Sequence, residues 1–235
     1  MTGVVAKVIL SALVAGILSI DRNAFGQFQL SRPIVSALIM GVILGCPVEG
    51  AIVGLIYEVL FLGSLPVGSF IPYHPLFPSL VSVLLIGMYN GPRPPMELIG
   101  LAVLFGAPTA FLDRAVNVQW RRSNERAFHR AMVYLRLGRT DLVQLQHVLS
   151  ALRAGLYHGG SFLLTGAVLV PSFNTLLKSS GNFPERFAIV AMLPFFMGLA
   201  GLASDRTARK GWKGWKGFTL GLALGACVGI WRAMP

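Results

Sequence analysis

Apolar residues dominate the chain in runs, and the lengths of those runs sort them into two kinds. Thr2 to Ile20, Met96 to Leu112, Phe187 to Ser204 and Gly217 to Trp231 approach the length of about 20 helical residues that crosses a bilayer core. They predict ordinary spanning helices. Leu156 to Leu177 is a fifth such run, but Pro171 interrupts it and Ser172, Asn174 and Lys178 follow, which predicts a kink or an early exit.

The second kind is too short or too broken to cross alone. Pro33 to Gly63 is apolar but divided at Gly45, Cys46, Pro47, Val48, Glu49 and Gly50. Its first half, Pro33 to Gly45, would rise only about 20 Å at 1.5 Å per residue, so a helical hairpin, a pair of half-helices or a re-entrant element is expected. Interrupted helices of this kind are where transport sites are built. Leu65 to Pro78 then carries four prolines, at 66, 72, 75 and 78. Backbone of that composition cannot be regular helix, and at membrane depth it is tolerated only where it lines a cavity or is covered by protein.

Polar positions are as unevenly distributed. From Asp113 to Ala154 the chain carries Arg114, Arg121, Arg122, Arg126, Arg130, Arg136, Arg139 and Arg153, with Phe128, Met132 and Leu135 at helical spacing. One or two amphipathic helices are predicted there, with a break at Gly138, a new start at Thr140 and Asp141, and an apolar stripe of Leu142, Leu145, Leu149 and Leu152. A second basic cluster runs from Arg206 to Lys216, with Trp212 and Trp215 as interfacial anchors. Loops this basic remain on the cytoplasmic side, which places about 113–154 and 206–216 there.

Composition agrees with this layout. The 235 residues are 54% hydrophobic and 12% charged, with a formal net charge of +11 and a mean hydropathy of +0.69. A soluble globule could not cover that much apolar surface, and the segregated charge points to membrane topology before nucleic acid. Met1 to Ile20 has no basic leader and no small-residue cleavage site, so it is read as a retained segment. Cys46 and Cys227 lie in apolar runs without metal-ligand spacing, and His74, His129, His147 and His158 form no H-E-x-x-H pattern. No metal, cofactor or catalytic residue is expected, and no nucleophile or P-loop motif is present.

Candidate binding chemistry concentrates before and within the broken helix. Glu58 stands in the apolar run Ile52 to Leu62, where an ionised carboxylate requires a partner or water. It is either an acceptor for ligand hydroxyls or the structural partner of Arg32 or Arg22. Asp21 to Pro33, DRNAFGQFQLSRP, supplies Gln27, Gln29, Ser31 and Arg32, groups suited to a neutral hydroxyl-rich ligand. The same stretch could equally be a plain polar loop. Gly217, Gly221, Gly225 and Gly229 recur every fourth residue and mark a close-packing helix face.

From Gln27 to Pro72 the sequence QFQLSRPIVSALIMGVILGCPVEGAIVGLIYEVLFLGSLPVGSFIP resembles the IIC subunit of the mannose/fructose/sorbose family of phosphotransferase systems. The likeness rests on order and spacing: Gln29, then Arg32 and Pro33, Leu44 and Gly45, the single Glu58, then Leu62, Gly63 and Gly68. It implies an all-α, polytopic integral membrane protein with broken or re-entrant helices in the N-terminal half, forming one domain over 1–235. It further implies a sugar-translocating subunit of a phosphoenolpyruvate-dependent system in the bacterial inner membrane. Its partners would be a IID membrane subunit and soluble IIB and IIA phosphocarriers that perform the phosphoryl transfer, with a hexose-type sugar held by Gln29, Arg32, Glu58, Gly63, Gly68 and Ser69. The family commonly has Asp where this chain has Cys46, a polar residue near Pro66 and Asp near His74. A IIC-like subunit with a regulatory or scaffold role is therefore the alternative.

Overall fold

The computed structural model describes residues 2–61, 71, 73–91 and 93–179, and every regular element among them is helical. Helix α1 (Thr2–Asn23) is followed by α2 (Pro33–Leu44), α3 (Pro47–Leu60), α4 (Leu76–Ile86), α5 (Met96–Gly106), α6 (Thr109–Arg136) and α7 (Thr140–Ser179). Among the described residues, three stretches are long and apolar enough to cross a membrane: 3–22, 96–136 and 140–178. The predicted spans Phe187 to Ser204 and Gly217 to Trp231, the basic cluster 206–216 and the glycine stripe from Gly217 lie outside the described residues.

The break in the Pro33 to Gly63 run is a hairpin. Proline opens each arm at its first position, where the missing N–H costs nothing. Gly45 closes α2 in the left-handed region at φ 81°, and the Cys46 N–H returns to Gly41 O at 2.7 Å. The arms then approach so closely that a methyl on Gly50 would stand 2.5 Å from Ala37 O, and one on Gly41 would stand 2.6 Å from Cys46 O. At 12 and 14 residues the arms rise about 18 and 21 Å, short of a bilayer core.

Helix α4 is the centre of the fold, with all eleven of its residues buried. It packs against α1, α2, α3, α5, α6 and α7. Hydroxyl groups around it are bonded rather than left bare: Ser82 Oγ of α4 donates to Ala102 O at 3.0 Å, and Tyr57 Oη of α3 donates to Val103 O at 2.7 Å. The chain pattern did not single out this helix, because eleven residues fall far below the length of a span. Burial from all sides replaces the amphipathic signature that would have revealed it.

The outer pair is α1 against α7. Gly16 lies where a methyl would come within 2.9 Å of Gly155 O, so the two backbones are nearly in contact. Helix α7 continues unbroken through Pro171. The predicted early exit does not occur, since the helix runs on to Ser179; the bond that proline removes is the one to Ala167 O, and an apolar helix tolerates such a loss. The basic segment also forms no separate unit. Its two helices, divided at Gly138 (φ 70°) as predicted, are α6 itself, which follows the apolar α5 after two residues, and the first part of α7, which runs on into an apolar stretch.

Contacts along α1 fix which ends lie together. Lys7 Nζ donates to Gly87 O at 2.7 Å near the start of α1, while Arg22 at its end meets Asp113 of α6. The loop 24–32, the start of α2 and the end of α3 therefore share one end of the bundle with the first turns of α6, which lead into the arginine-rich hairpin.

Candidate functional site

Arg32 occupies the N-cap position of α2 with extended backbone, and its guanidinium pairs with Glu58 in the last turn of α3. The second carboxylate oxygen of Glu58 accepts the Ile34 N–H at 3.4 Å. An unsatisfied helix N-terminus carries partial positive charge, so the carboxylate is neutralised twice, by a cation and by the end of α2. Of the readings left open for Glu58, the structure realises the pair with Arg32, and Arg22 turns elsewhere.

The pair is built asymmetrically. The Glu58 side chain is 15% exposed and that of Arg32 is 51% exposed. A carboxylate has about four lone-pair positions and a guanidinium five N–H donors, so one salt bridge and one weak backbone bond leave both groups able to bind hydroxyls from the open side. Acceptor and donor stand side by side, the arrangement that vicinal hydroxyls require.

The loop before α2 is held from below. Asp21, 7% exposed, accepts the Phe28 N–H at 2.7 Å on one carboxylate oxygen and the Leu30 N–H at 2.9 Å on the other. Between these anchors Gln27 and Gln29 adopt φ of 52° and 67°, and Gly26 adopts 89°. Left-handed backbone at a residue with a side chain costs roughly 1–3 kcal/mol, which the two charge-assisted bonds offset. Gln29 O then accepts the Arg32 N–H at 3.1 Å and leads the chain into α2.

A second ionic cluster lies in the interior. Asp113, fully buried, meets Arg22 Nη1 at 2.8 Å through Oδ2. His158 Nδ1 lies 2.9 Å from Ala154 O, a carbonyl that can only accept, which leaves Nε2 to accept from Arg22 Nη2 at 3.3 Å. His158 Nε2 is also 3.6 Å from Asp113 Oδ1, an oxygen with no hydrogen bond of its own. His74 adds a third side, with Nδ1 accepting the Leu76 N–H at 3.2 Å and standing 3.7 Å from Asp113 Oδ2. The cluster ties the end of α1, the start of α6 and the middle of α7 to the segment entering α4.

The chain matches the family model described as the phosphotransferase system sorbose-specific IIC component over residues 5–203. It belongs to that family. Solved structures share its fold, two of them as follows. One, described only as a membrane protein, aligns with a TM-score of 0.66 at 19% identity over 96% of this chain and 87% of that one. The other, a cryo-EM structure of the mannose transporter ManYZ with microcin E492, aligns with a TM-score of 0.58 at 20% identity over the same shares. No functionally curated protein matches.

As a IIC component the chain is a multi-pass, all-helical sugar-translocating membrane subunit. Of the site residues expected in it, the structure brings Arg32 and Glu58 into contact and sets Gln29 three residues before Arg32, whose N–H it binds. Gly63, Gly68 and Ser69 lie outside the described residues. Two acidic groups were missed, Asp21 beneath the loop and Asp113 in the interior. Each is visible in the sequence as a charge at the end of a long apolar run, a weaker signal than the mid-run position that singled out Glu58.

Proposed function

We propose that Gln29, Arg32 and Glu58, at the end of the bundle that leads into the basic hairpin, hold a hexose-type sugar together with Gly63, Gly68 and Ser69. The observation that carries this reading is the Arg32–Glu58 pair at the N-terminus of α2, which offers acceptor and donor on an accessible side. With the arginine-rich hairpin in the cytoplasm, that end faces the cytoplasmic side, where a sugar would be passed on.

The chain acts as one domain over 1–235 in the bacterial cytoplasmic membrane, paired with a IID subunit. Soluble IIA and IIB carry the phosphoryl group, and this chain guides the sugar to them. Uptake with concomitant phosphorylation, measured in vesicles containing this chain with its neighbouring subunits, tests the assignment. Accumulation of sugar phosphate that requires this chain supports it. Undiminished accumulation in vesicles lacking the chain would sink it.

A further inference from the structure

Asp21 and the strained glutamines above it have no part in the pair just described, yet they show the most unusual backbone in the described chain. Among those residues, only Gln27 and Gln29 have positive φ without being glycine. Both are exposed, so neither conformation is imposed by packing around the side chain. The two N–H groups bound by Asp21 belong to Phe28 and Leu30, each the residue directly after a left-handed glutamine. Left-handed backbone at 27 and at 29 is thus what turns both following N–H groups toward one buried carboxylate.

Such strain persists only where the surroundings enforce it, and glycine or asparagine would meet the backbone requirement more readily. A glutamine kept twice in this state implies a use for its amide. Each primary amide has two N–H donors and a carbonyl acceptor, matched to hydroxyl groups. We infer that Asp21 is a positioning residue that presets the loop 24–32 so that Gln27 and Gln29 present their amides to sugar hydroxyls, making Gln27 a binding residue beside Gln29. This inference rests on the sugar site proposed above, and it adds the residue that organises the loop and a second amide. A preset loop loses little conformational freedom when the sugar binds, and hence binds more tightly.

The test is equilibrium binding of radiolabelled mannose, fructose and L-sorbose to the full chain reconstituted with its IID subunit, alongside thermal stability and amide hydrogen exchange of the loop. Gln27→Gly and Gln29→Gly relieve the backbone while deleting the amide. Each should leave the melting temperature equal or higher and weaken binding about tenfold, the loss expected for one or two hydrogen bonds. Gln27→Asn and Gln29→Asn retain an amide in a residue that tolerates the left-handed region, and should recover part of that loss. Asp21→Asn, left with one acceptor oxygen, should speed exchange at Phe28 and Leu30 and weaken binding while helical content is retained.

Sugar affinity at the wild-type level in Asp21→Asn, Gln27→Gly and Gln29→Gly, with Glu58→Ala impaired, overturns the positioning role and removes Gln29 from the site, while the Arg32–Glu58 pair stands as the sugar contact. Wild-type affinity in Glu58→Ala as well removes the site itself. A wild-type chain that binds none of the three sugars overturns both.

Discussion

The guanidinium of Arg32 closes on the carboxylate of Glu58, joining the N-terminus of α2 to the last turn of α3 across the open end of the hairpin. At the closed end Gly45 turns the chain and Gly41 and Gly50 bring the arms together. The hairpin is thus fastened permanently at one end by backbone packing and at the other by an ion pair that is half open to its surroundings.

That difference predicts how Glu58 variants behave. A pair with one partner half-exposed contributes on the order of 1 kcal/mol or less to stability, so Glu58→Ala should fold with little loss of melting temperature. Sugar binding should weaken by about 1.5–3 kcal/mol, the range for bonds to a charged group, with Glu58→Gln intermediate. Equilibrium binding and thermal unfolding of the same preparations check both. A large fall in stability, partly restored by changing Arg32 as well, would assign the pair a structural role instead.

Arg22 and Asp113 should behave in the opposite way. With side chains 9% and 0% exposed, they are a buried pair, and Asp113→Ala or Arg22→Ala leaves an uncompensated charge costing about 3–5 kcal/mol. Membrane yield and detergent stability should drop sharply in each single variant. The double variant Arg22→Met with Asp113→Leu should recover much of the loss, and failure to recover would show that His158 and His74 depend on the charges.

Gly50→Ala places a methyl 2.5 Å from Ala37 O, a backbone atom that cannot move without separating α2 from α3. We expect a loss of several kcal/mol of stability, comparable to severe overpacking. Gly160→Ala, in an open position with nothing within 4 Å, serves as the control and should be neutral or slightly stabilising. Thermal unfolding of the two variants decides, and equal stability would mean that the arms are not in close contact.

The hairpin of α6 and α7 should lie in the cytoplasm. His129 and Gln144 are exposed, so His129→Cys and Gln144→Cys are accessible to a membrane-impermeant thiol reagent, whereas Ser123 is buried and unsuited to the purpose. Labelling is expected in inverted vesicles and not in intact cells. Labelling of intact cells would invert the topology and move the Arg32–Glu58 end to the outer face.

The sequence by itself determined the solvent, the long helices α1 and α7 and the break at Gly45 and Pro47, because these depend on local quantities. Run length against bilayer thickness, proline at a helix start, glycine at its end and clustered arginine are all legible from neighbours in the chain. Glu58 was legible too, as a carboxylate that required a partner. Which partner it took was not, because Arg32 and Arg22 were equally available in sequence and only the packing of α1 against α7, through Gly16 and Gly155, carried Arg22 to Asp113. Helix α4 was hidden for a related reason: an eleven-residue apolar run signals neither a span nor a face, and only enclosure by six other helices makes it the core. The left-handed backbone at Gln27 and Gln29 likewise runs against local preference. It exists because tertiary structure buries the Asp21 carboxylate where the Phe28 and Leu30 N–H groups turn to reach it.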